Sequence, residues 1–353
     1  MKKIVLIISF CFFTLNIEAY TLQKYTIDLN YPWGMTWLDS SQLLITEKKT
    51  GQIILFDTSD NTSKIISHEI PVAAWGQGGL LDIISEGKTI WVSCSIMKNK
   101  LLTTAVYKST LEKDSLINSE LIFEAKPYIN NAKHFGSRLT IKDDYLYISV
   151  GERGKGMIAQ DPTKHPGSII RIYKDGSIPK DNPKFKSKND WLPEIYQIGI
   201  RNPQGLTVSD FDGKVYMSNH GARGGDWFGE VKKGENYGWK ILGWGGKNYS
   251  GIPIGPKWKP GFTKAIQYWV PSIATSAIVI YKGKEFEEWN GNALITSLKD
   301  QSLRKIIFND LSNVKEQIIF KHKIGRIRDI QVHPESGKIF FLSSDALWLM
   351  EKK

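Results

Sequence analysis

Four segments of the chain combine basic side chains, asparagine and histidine in patterns that could bind an anion or move a proton. Arginine offers a planar fork to a carboxylate, and lysine offers a point charge. A histidine side chain can transfer a proton near neutral pH. Taken singly, each Arg or Lys is more often part of a surface salt bridge, and a lone His is more often structural. The segments are Lys133–Arg138, Gly199–Gly205, Ser218–Asp226 followed by Asn236–Trp239, and Ser297–Lys299 with Gly325–Asp329.

The elements that must position these residues follow a repeat. An apolar run that ends in Ser or Thr occurs six times, with intervals of 47, 56, 69, 78 and 47 residues between the hydroxyl residues. Most copies follow a second short apolar run, with turn residues between the two. This pattern predicts an all-β fold, a six-bladed β-propeller in one domain over residues 20–353. A β-sandwich or several small β domains is the alternative. The hydroxyl residues are Thr46, Ser93, Ser149, Ser218, Thr296 and Ser343.

The propeller geometry also predicts where a site lies. Equivalent strands of the blades surround a central channel, so the residues just past each repeated Ser or Thr should meet near the axis. A pocket in which titratable groups from several blades converge is the default site. The wide intervals after Ser149 and Ser218 should carry long functional loops. The converging residues include Glu152, Arg153, His220, Gly221, Lys299 and Asp300.

At the four segments the sequence resembles the soluble glucose and aldose sugar dehydrogenases that depend on pyrroloquinoline quinone (PQQ). The resemblance covers nearly all of the chain after the first 19 residues. Any one matching string would be weak evidence, whereas many strings in the same order are strong evidence. The further matches are Pro32–Met35, Gly76–Leu81, Gln160–Asp161, Asp175–Pro179 and Asp181–Pro183.

The resemblance implies a set of residues that bind PQQ, a planar quinone with three carboxylates. Cations and rigid hydrogen-bond donors suit such a ligand. Trp269 resembles a residue at the rim of the cofactor and is expected to stack on PQQ or on substrate, with packing in the core as the alternative. The other implied cofactor residues are Gln77, Arg201, Asn202, Lys299, Arg326 and Arg328.

The resemblance also implies a catalytic set of His134, Glu152 and Arg328. His134 is expected to be the general base that removes the proton of the C1 hydroxyl of an aldose while hydride leaves C1 for PQQ. Glu152 stands where the family more often has an aspartate that orients this histidine. The implied product is a lactone, and an unidentified periplasmic electron acceptor would reoxidise the cofactor.

Calcium is the second cofactor that the resemblance implies. The family binds the ion largely through backbone carbonyls, which map to Gly221 and Ala222, where proline is usual at the second position. A further family site uses an Asp-Glu pair, and here the pair reads Asp226-Trp227. Asp226 and Tyr237 are assigned to this further site, which the missing carboxylate should weaken or abolish.

Two other functions remain open on the same fold. One is a propeller without enzymatic activity that binds a ligand or protein on its channel face. The presence of both His134 and the set of cations that the resemblance implies argues against a propeller without enzymatic activity. The other is a calcium-dependent lactone hydrolase, which would hold its metal with several acidic side chains. Too few carboxylates are expected to converge here for that chemistry.

The first 19 residues read as a signal peptide. Two lysines precede an apolar stretch from Ile4 to Leu15, and Ala19 offers a cleavage point. A membrane anchor, a buried strand and a lipoprotein acylated at Cys11 are the alternatives. A periplasmic or secreted protein is therefore expected, and no later stretch is long enough to span a membrane. The net charge is +11, but the lysines are scattered, so a nucleic-acid partner is not expected.

Overall fold

The computed structural model describes residues 20–185 and 191–353, so the expected signal peptide at residues 1–19 lies outside the described residues. Within that part of the chain, 24 strands form six sheets of four antiparallel strands each. The only helices among the described residues are two short 3₁₀ turns, Gly156–Gln160 and Glu287–Trp289. None of the described helices is long and apolar enough to cross a membrane.

Each of the first five blades is built from four consecutive strands, and the sixth blade joins the two ends of the described chain. In the sixth blade β1 (Tyr20–Lys24) pairs with the last strand, which closes the ring. The first blade has β2 (Pro32–Trp37), β3 (Gln42–Glu47), β4 (Ile53–Asp57) and β5 (Thr62–Ile66). The second has β6 (Leu80–Glu86), β7 (Thr89–Lys98), β8 (Leu101–Glu112) and β9 (Ser115–Glu124).

The remaining blades repeat this order. The third has β10 (Gly136–Lys142), β11 (Tyr145–Val150), β12 (Ser168–Tyr173) and β13 (Ile195–Ile198). The fourth has β14 (Pro203–Val208), β15 (Val215–Asn219), β16 (Asp226–Glu230) and β17 (Gln267–Trp269). The fifth has β18 (Thr275–Ile280), β19 (Ala293–Ser297), β20 (Ser302–Ile307) and β21 (Lys315–Lys321). The sixth blade consists of β1 together with β22 (Asp329–Val332), β23 (Ile339–Leu342) and β24 (Leu347–Lys352).

The innermost strands of the blades surround the central axis. Contacts run from β2 to β6, β10, β14, β18 and β22, and from β22 back to β2. Apolar side chains of facing sheets fill the space between each pair of neighbouring blades. Leu44 packs with Ile83 between the first and second blades, and Met35 packs with Phe340 where the sixth blade meets the first. The predicted six-bladed propeller is confirmed.

Three of the repeated hydroxyl residues, Thr46, Ser93 and Ser218, bond to the next blade. The Ser93 hydroxyl donates to the carbonyl of Ser137, and the Ser218 hydroxyl donates to the carbonyl of Ser276, each at 2.6 Å. Both bonds are buried and cross from the second strand of one blade to the innermost strand of the next. A buried hydroxyl needs a partner, so the repeated residue also joins neighbouring blades.

Candidate active site

A cavity of about 290 Å³ lies where the innermost strands begin and the second strands end. All six blades contribute to its lining, as the convergence of equivalent strands predicts. Four of the residues assigned to the cofactor from the sequence line it, namely Gln77, Asn202, Arg326 and Arg328. The other lining residues are Trp33, Lys48, Leu81, Phe135, Gly136, Gln204, His220, Ala274 and Leu298.

The cavity wall is positively charged. Lys48, Arg326 and Arg328 line it, and no Asp or Glu is among the lining residues. Burial lowers the pKa of Arg328, and the charges of Arg138 and Arg326 lower it further. Cations that repel one another in a partly desolvated wall favour a ligand that carries several negative charges.

His134 stands beside this cavity, next to the lining residue Gln77 and directly before the lining residues Phe135 and Gly136. Its backbone N–H donates to Oε1 of Gln77 at 2.8 Å. Its Nδ1 lies 2.5 Å from Oε1 of Glu152, and the other oxygen of that carboxylate accepts the backbone N–H of Gly156 at 2.7 Å. The side chain of Glu152 therefore reaches His134 and is itself held in place.

The charge states of this pair suit a general base. Burial lowers the pKa of His134 and outweighs the opposing effect of Glu152, while Arg201 and Lys133 lower it further. Burial tends to raise the pKa of Glu152, but the hydrogen bonds from His134 and Gly156 bring it below its usual value. An ionised carboxylate can only accept hydrogen bonds, so the neutral imidazole of His134 must carry its hydrogen on Nδ1 and donate it to Glu152. That tautomer leaves the lone pair on Nε2.

Arg153 supports the loop that carries His134 and does not line the cavity. The sequence placed it among the residues that meet at the axis. Its guanidinium instead donates to the carbonyls of Lys133 and Leu102 at 3.0 Å each, and lies 3.7 Å from the centre of the Phe135 ring. A buried arginine satisfied in this way fixes the backbone on both sides of the catalytic candidate.

A buried charge network centred on Arg138 lies next to the cavity wall. The Arg138 guanidinium is 2.8 Å from Asp82 and 2.9 Å from Asp329, and all three side chains are at most 5% exposed. Arg138 also donates to the backbone carbonyls of two lining residues, Gln204 at 2.7 Å and Arg328 at 2.9 Å. Because these partners belong to different blades, one side chain joins the second, third, fourth and sixth blades.

Arg201 and Lys299 do not line the cavity, although the resemblance assigned both to the cofactor. Arg201 is 5% exposed and donates to the carbonyl of His220 at 3.4 Å, but it is not among the lining residues. Lys299 is exposed, one residue beyond Leu298, which does line the cavity. The cofactor roles of both residues stay predictions.

Trp269 is not among the residues that line the cavity, and its expected place at the rim of the cofactor stays a prediction. It is 7% exposed and belongs to the apolar cluster between the fourth and fifth blades, with Phe228 and Ile278. Its indole N–H donates to Oε1 of Glu316 at 3.0 Å. The last strand of a blade lies far from the axis, so a side chain of β17 that packs between sheets is directed away from the central pocket.

The carboxylate of Asp226 has protein partners, and its assignment to a further calcium site stays a prediction. It is completely buried, and one oxygen accepts the backbone N–H of Gly221 at 2.7 Å. The other oxygen accepts the hydroxyl of Ser272 at 2.7 Å and the backbone N–H of Ala274 at 2.6 Å. Asp226 therefore closes its own loop against the next blade.

Tyr237, assigned to the same further site, is also held by protein contacts. Its hydroxyl donates to the carbonyl of Glu230 at 2.7 Å, and its ring stacks on Trp227 with 4.0 Å between the ring centres. Trp227 is the residue that follows Asp226, at the position where the resemblance implies a carboxylate. Across the described residues there is no group of three His, Cys, Asp or Glu side chains that could hold a metal.

The loop with Gly221 and Ala222 has the geometry of a tight backbone turn. The N–H of Ala222 donates to the carbonyl of Gly224 at 3.1 Å. A Cβ on Gly221 would lie 2.2 Å from that same carbonyl oxygen, so only glycine fits there. Within the described chain neither the Gly221 nor the Ala222 carbonyl accepts a hydrogen bond. Both remain candidates to coordinate a cation.

The sequence interpretation missed Lys48 and Gln204. Lys48 follows Thr46 and Glu47 in the first copy of the repeat, so the rule that residues past the repeated hydroxyl converge at the axis could have found it. Gln204 lies inside the segment Gly199–Gly205, which was singled out for Arg201 and Asn202.

Comparison with known proteins decides the family. The family model described as glucose/sorbosone dehydrogenase matches residues 29–348. The chain belongs to this family. The resemblance drawn from the sequence motifs is thus confirmed, and membership in a dehydrogenase family confirms the expectation of an enzyme.

Individual members of the glucose/sorbosone dehydrogenase family match along most of their length. The chain is 31% identical over 346 residues to aldose sugar dehydrogenase YliI of Escherichia coli, covering 94% of this chain and 91% of the relative. It is 25% identical over 407 residues to quinoprotein glucose dehydrogenase B of Acinetobacter calcoaceticus, covering 90% and 84%. The crystal structure of the E. coli aldose sugar dehydrogenase in its apo form superposes with a TM-score of 0.88 at 30% identity, covering 95% of this chain and all of that one.

Proposed function

We propose that this protein oxidises the C1 hydroxyl of aldose sugars to lactones with PQQ bound in the central cavity. The observation that carries the proposal is the His134–Glu152 pair, which stands beside a cavity lined by Lys48, Arg326 and Arg328. The relatives named as aldose sugar and quinoprotein glucose dehydrogenases support the class of reaction.

The lining residues fit a planar ligand with three carboxylates. Arg326 and Arg328 supply charge and hydrogen-bond donors, while Asn202 and Gln77 supply rigid amides. PQQ, when bound, supplies the quinone that accepts hydride from C1 of the sugar. Arg328 is also proposed to stabilise negative charge that develops during the transfer, because it is half-buried and lines the wall of the cavity.

His134 acts as the general base in this scheme. Its Nε2 lone pair takes the proton of the C1 hydroxyl, and the imidazolium that forms is stabilised by the Glu152 carboxylate at Nδ1. Glu152 also fixes the tautomer and the ring orientation. A non-enzymatic propeller would have no use for an ionised carboxylate held against a neutral histidine at the edge of the cavity.

Calcium, export and the electron acceptor complete the proposal. The carbonyls of Gly221 and Ala222 would supply the protein ligands of one calcium ion, since hard cations prefer oxygen ligands. A signal peptide cleaved near Ala19 would deliver the protein to the periplasm or the medium. An electron acceptor in that compartment would then reoxidise the cofactor.

Glu152→Gln is expected to lower turnover about 10- to 100-fold, the effect of losing one hydrogen bond to a charged group. The substitution also removes a charge that raises the pKa of His134. A base must be unprotonated to act, so the acidic limb of the kcat/KM profile should move to lower pH. Rates of aldose oxidation measured across pH test both effects.

The matched control for this variant is Glu194→Gln. Glu194 also contacts a histidine, His165, with 3.5 Å between Oε2 and Nε2, but the pair lies away from the cavity. The control should keep the wild-type rate and profile. A Glu152→Gln enzyme with an unchanged profile would show that Glu152 does not act on the base.

Reconstitution tests the function as a whole. Purified protein without cofactor should show no oxidation of aldoses with an artificial dye acceptor, and addition of PQQ with Ca²⁺ should start it. PQQ with a chelator separates the role of calcium from that of the quinone. If no aldose is oxidised after PQQ and Ca²⁺ have been supplied, the proposed activity is wrong.

A further inference from the structure

Lys48 lines the cavity but has no role in the catalytic set described above. It follows β3 in the first blade, opposite in the ring to the fourth-blade residues Asn202 and Gln204. Within the described chain no carboxylate forms an ion pair with its amine. A lysine without a counter-ion in a pocket is unusual, because burial of an uncompensated charge is unfavourable.

Burial and neighbouring cations both disfavour the charged form of the Lys48 amine. Burial lowers its pKa to about 8, and the charges of Arg328, Lys49 and Arg326 contribute in the same direction. Lys48, Arg326 and Arg328 therefore form one group of like charges on the wall of an otherwise uncharged pocket. Such a group is stabilised when an anion binds between its members.

The position of Lys48 depends on the glycine-rich segment that also carries Gln77. Gly79 has a φ of +144°, and a Cβ there would lie 1.8 Å from the carbonyl oxygen of Lys48 and 2.8 Å from its Cγ. The next residue, Leu80, donates its N–H to the same carbonyl at 3.1 Å. The segment therefore positions an amide and a cation on neighbouring parts of the wall.

We propose that Lys48 is a cofactor-binding residue whose amine pairs with a carboxylate of PQQ. The proposal rests on the proposed function, because it names one more residue of the same cavity. It also assigns a role to a cation from the first blade, where the family resemblance assigned none.

The test is an equilibrium titration of PQQ, followed by its absorbance, into wild-type protein and three variants. Lys48→Met should raise the dissociation constant about 10- to 100-fold, as expected for one charge-assisted hydrogen bond. Lys48→Arg keeps a cation and should restore most of the affinity. Lys49→Met is the matched control, since Lys49 is exposed and lies 3.5 Å from the centre of the Tyr31 ring; its affinity should equal that of the wild type.

Two further readouts separate binding from a structural role. The affinity of the wild type should fall as pH rises through about 8, because the Lys48 amine loses its proton there. Lys48→Arg and Lys48→Met should lack this fall. The melting temperature of cofactor-free Lys48→Met should equal or exceed that of the wild type, because one charge is removed from a group of cations.

Each result of these experiments either supports or overturns the assignment of Lys48. If Lys48→Met binds PQQ as tightly as the wild type, Lys48 does not hold the cofactor, and the proposed function stands unaffected. If Lys48→Met melts lower and Lys48→Arg does not restore affinity, Lys48 is structural and the inference is wrong. A wild-type protein that binds no PQQ would overturn the proposed function itself, and with it this inference.

Discussion

His134→Ala is expected to lower aldose turnover about 10²- to 10⁴-fold, the usual contribution of a positioned general base. The variant removes the imidazole that lies 2.5 Å from Glu152, and with it the proposed acceptor of the proton. The affinity for PQQ should change little, because His134 is not among the residues that line the cavity. Rates with a dye acceptor and a PQQ titration measure the two effects separately.

The control for this variant is His322→Ala. His322 is exposed and lies after β21, far from the loop of His134 in sequence and in blade order. Its replacement should leave turnover unchanged. If His134→Ala keeps normal turnover with PQQ and Ca²⁺ bound, another group is the base and the assignment of His134 is wrong.

Arg138→Met is expected to reduce the free energy of unfolding by about 3–5 kcal/mol, the usual effect of breaking a buried ion pair by removing one partner. The methionine fills similar space but leaves Asp82 and Asp329 buried without a counter-ion. Burial already raises the pKa of both carboxyl groups, and the charge of Arg138 opposes that effect. Chemical denaturation of the cofactor-free protein measures the loss.

An exposed ion pair supplies the control for Arg138. Lys282 and Asp210 lie 3.0 Å apart with side chains 65% and 61% exposed. Lys282→Ala should change stability by less than about 1 kcal/mol, because solvent screens such pairs. A loss of that small size for Arg138→Met would contradict the view that the Arg138 network joins the blades.

The sequence was sufficient to predict the fold because its repeat has a direct physical cause. Each repeated Ser or Thr occupies the same place in a blade, and hydroxyls such as those of Ser93 and Ser218 bond to the next blade. A residue that occupies the same place in every repeat leaves a periodic signal. Gln77, Asn202, Arg326 and Arg328 were assigned from the family resemblance and not from the repeat, and all four line the cavity.

Side-chain direction could not be predicted in the same way. Trp269, Asp226 and Tyr237 lie in matching segments, and the structure shows all three in packing between sheets or in local hydrogen bonds that the segments alone do not reveal. Arg138 looked like one more basic residue of its segment, because its two carboxylate partners, Asp82 and Asp329, are 56 and 191 positions away in the chain. Residues so far apart in the sequence are recognised as partners only in the folded propeller, where their blades meet.

The most direct test of the central claim is a single turnover without any electron acceptor. Protein loaded with one equivalent of PQQ and with Ca²⁺ is mixed anaerobically with excess aldose, and the absorbance of the bound quinone is followed. The account predicts complete reduction of the bound cofactor, at a rate that rises with aldose concentration and falls sharply in His134→Ala. Bound PQQ that stays oxidised with every aldose of a broad panel would contradict it.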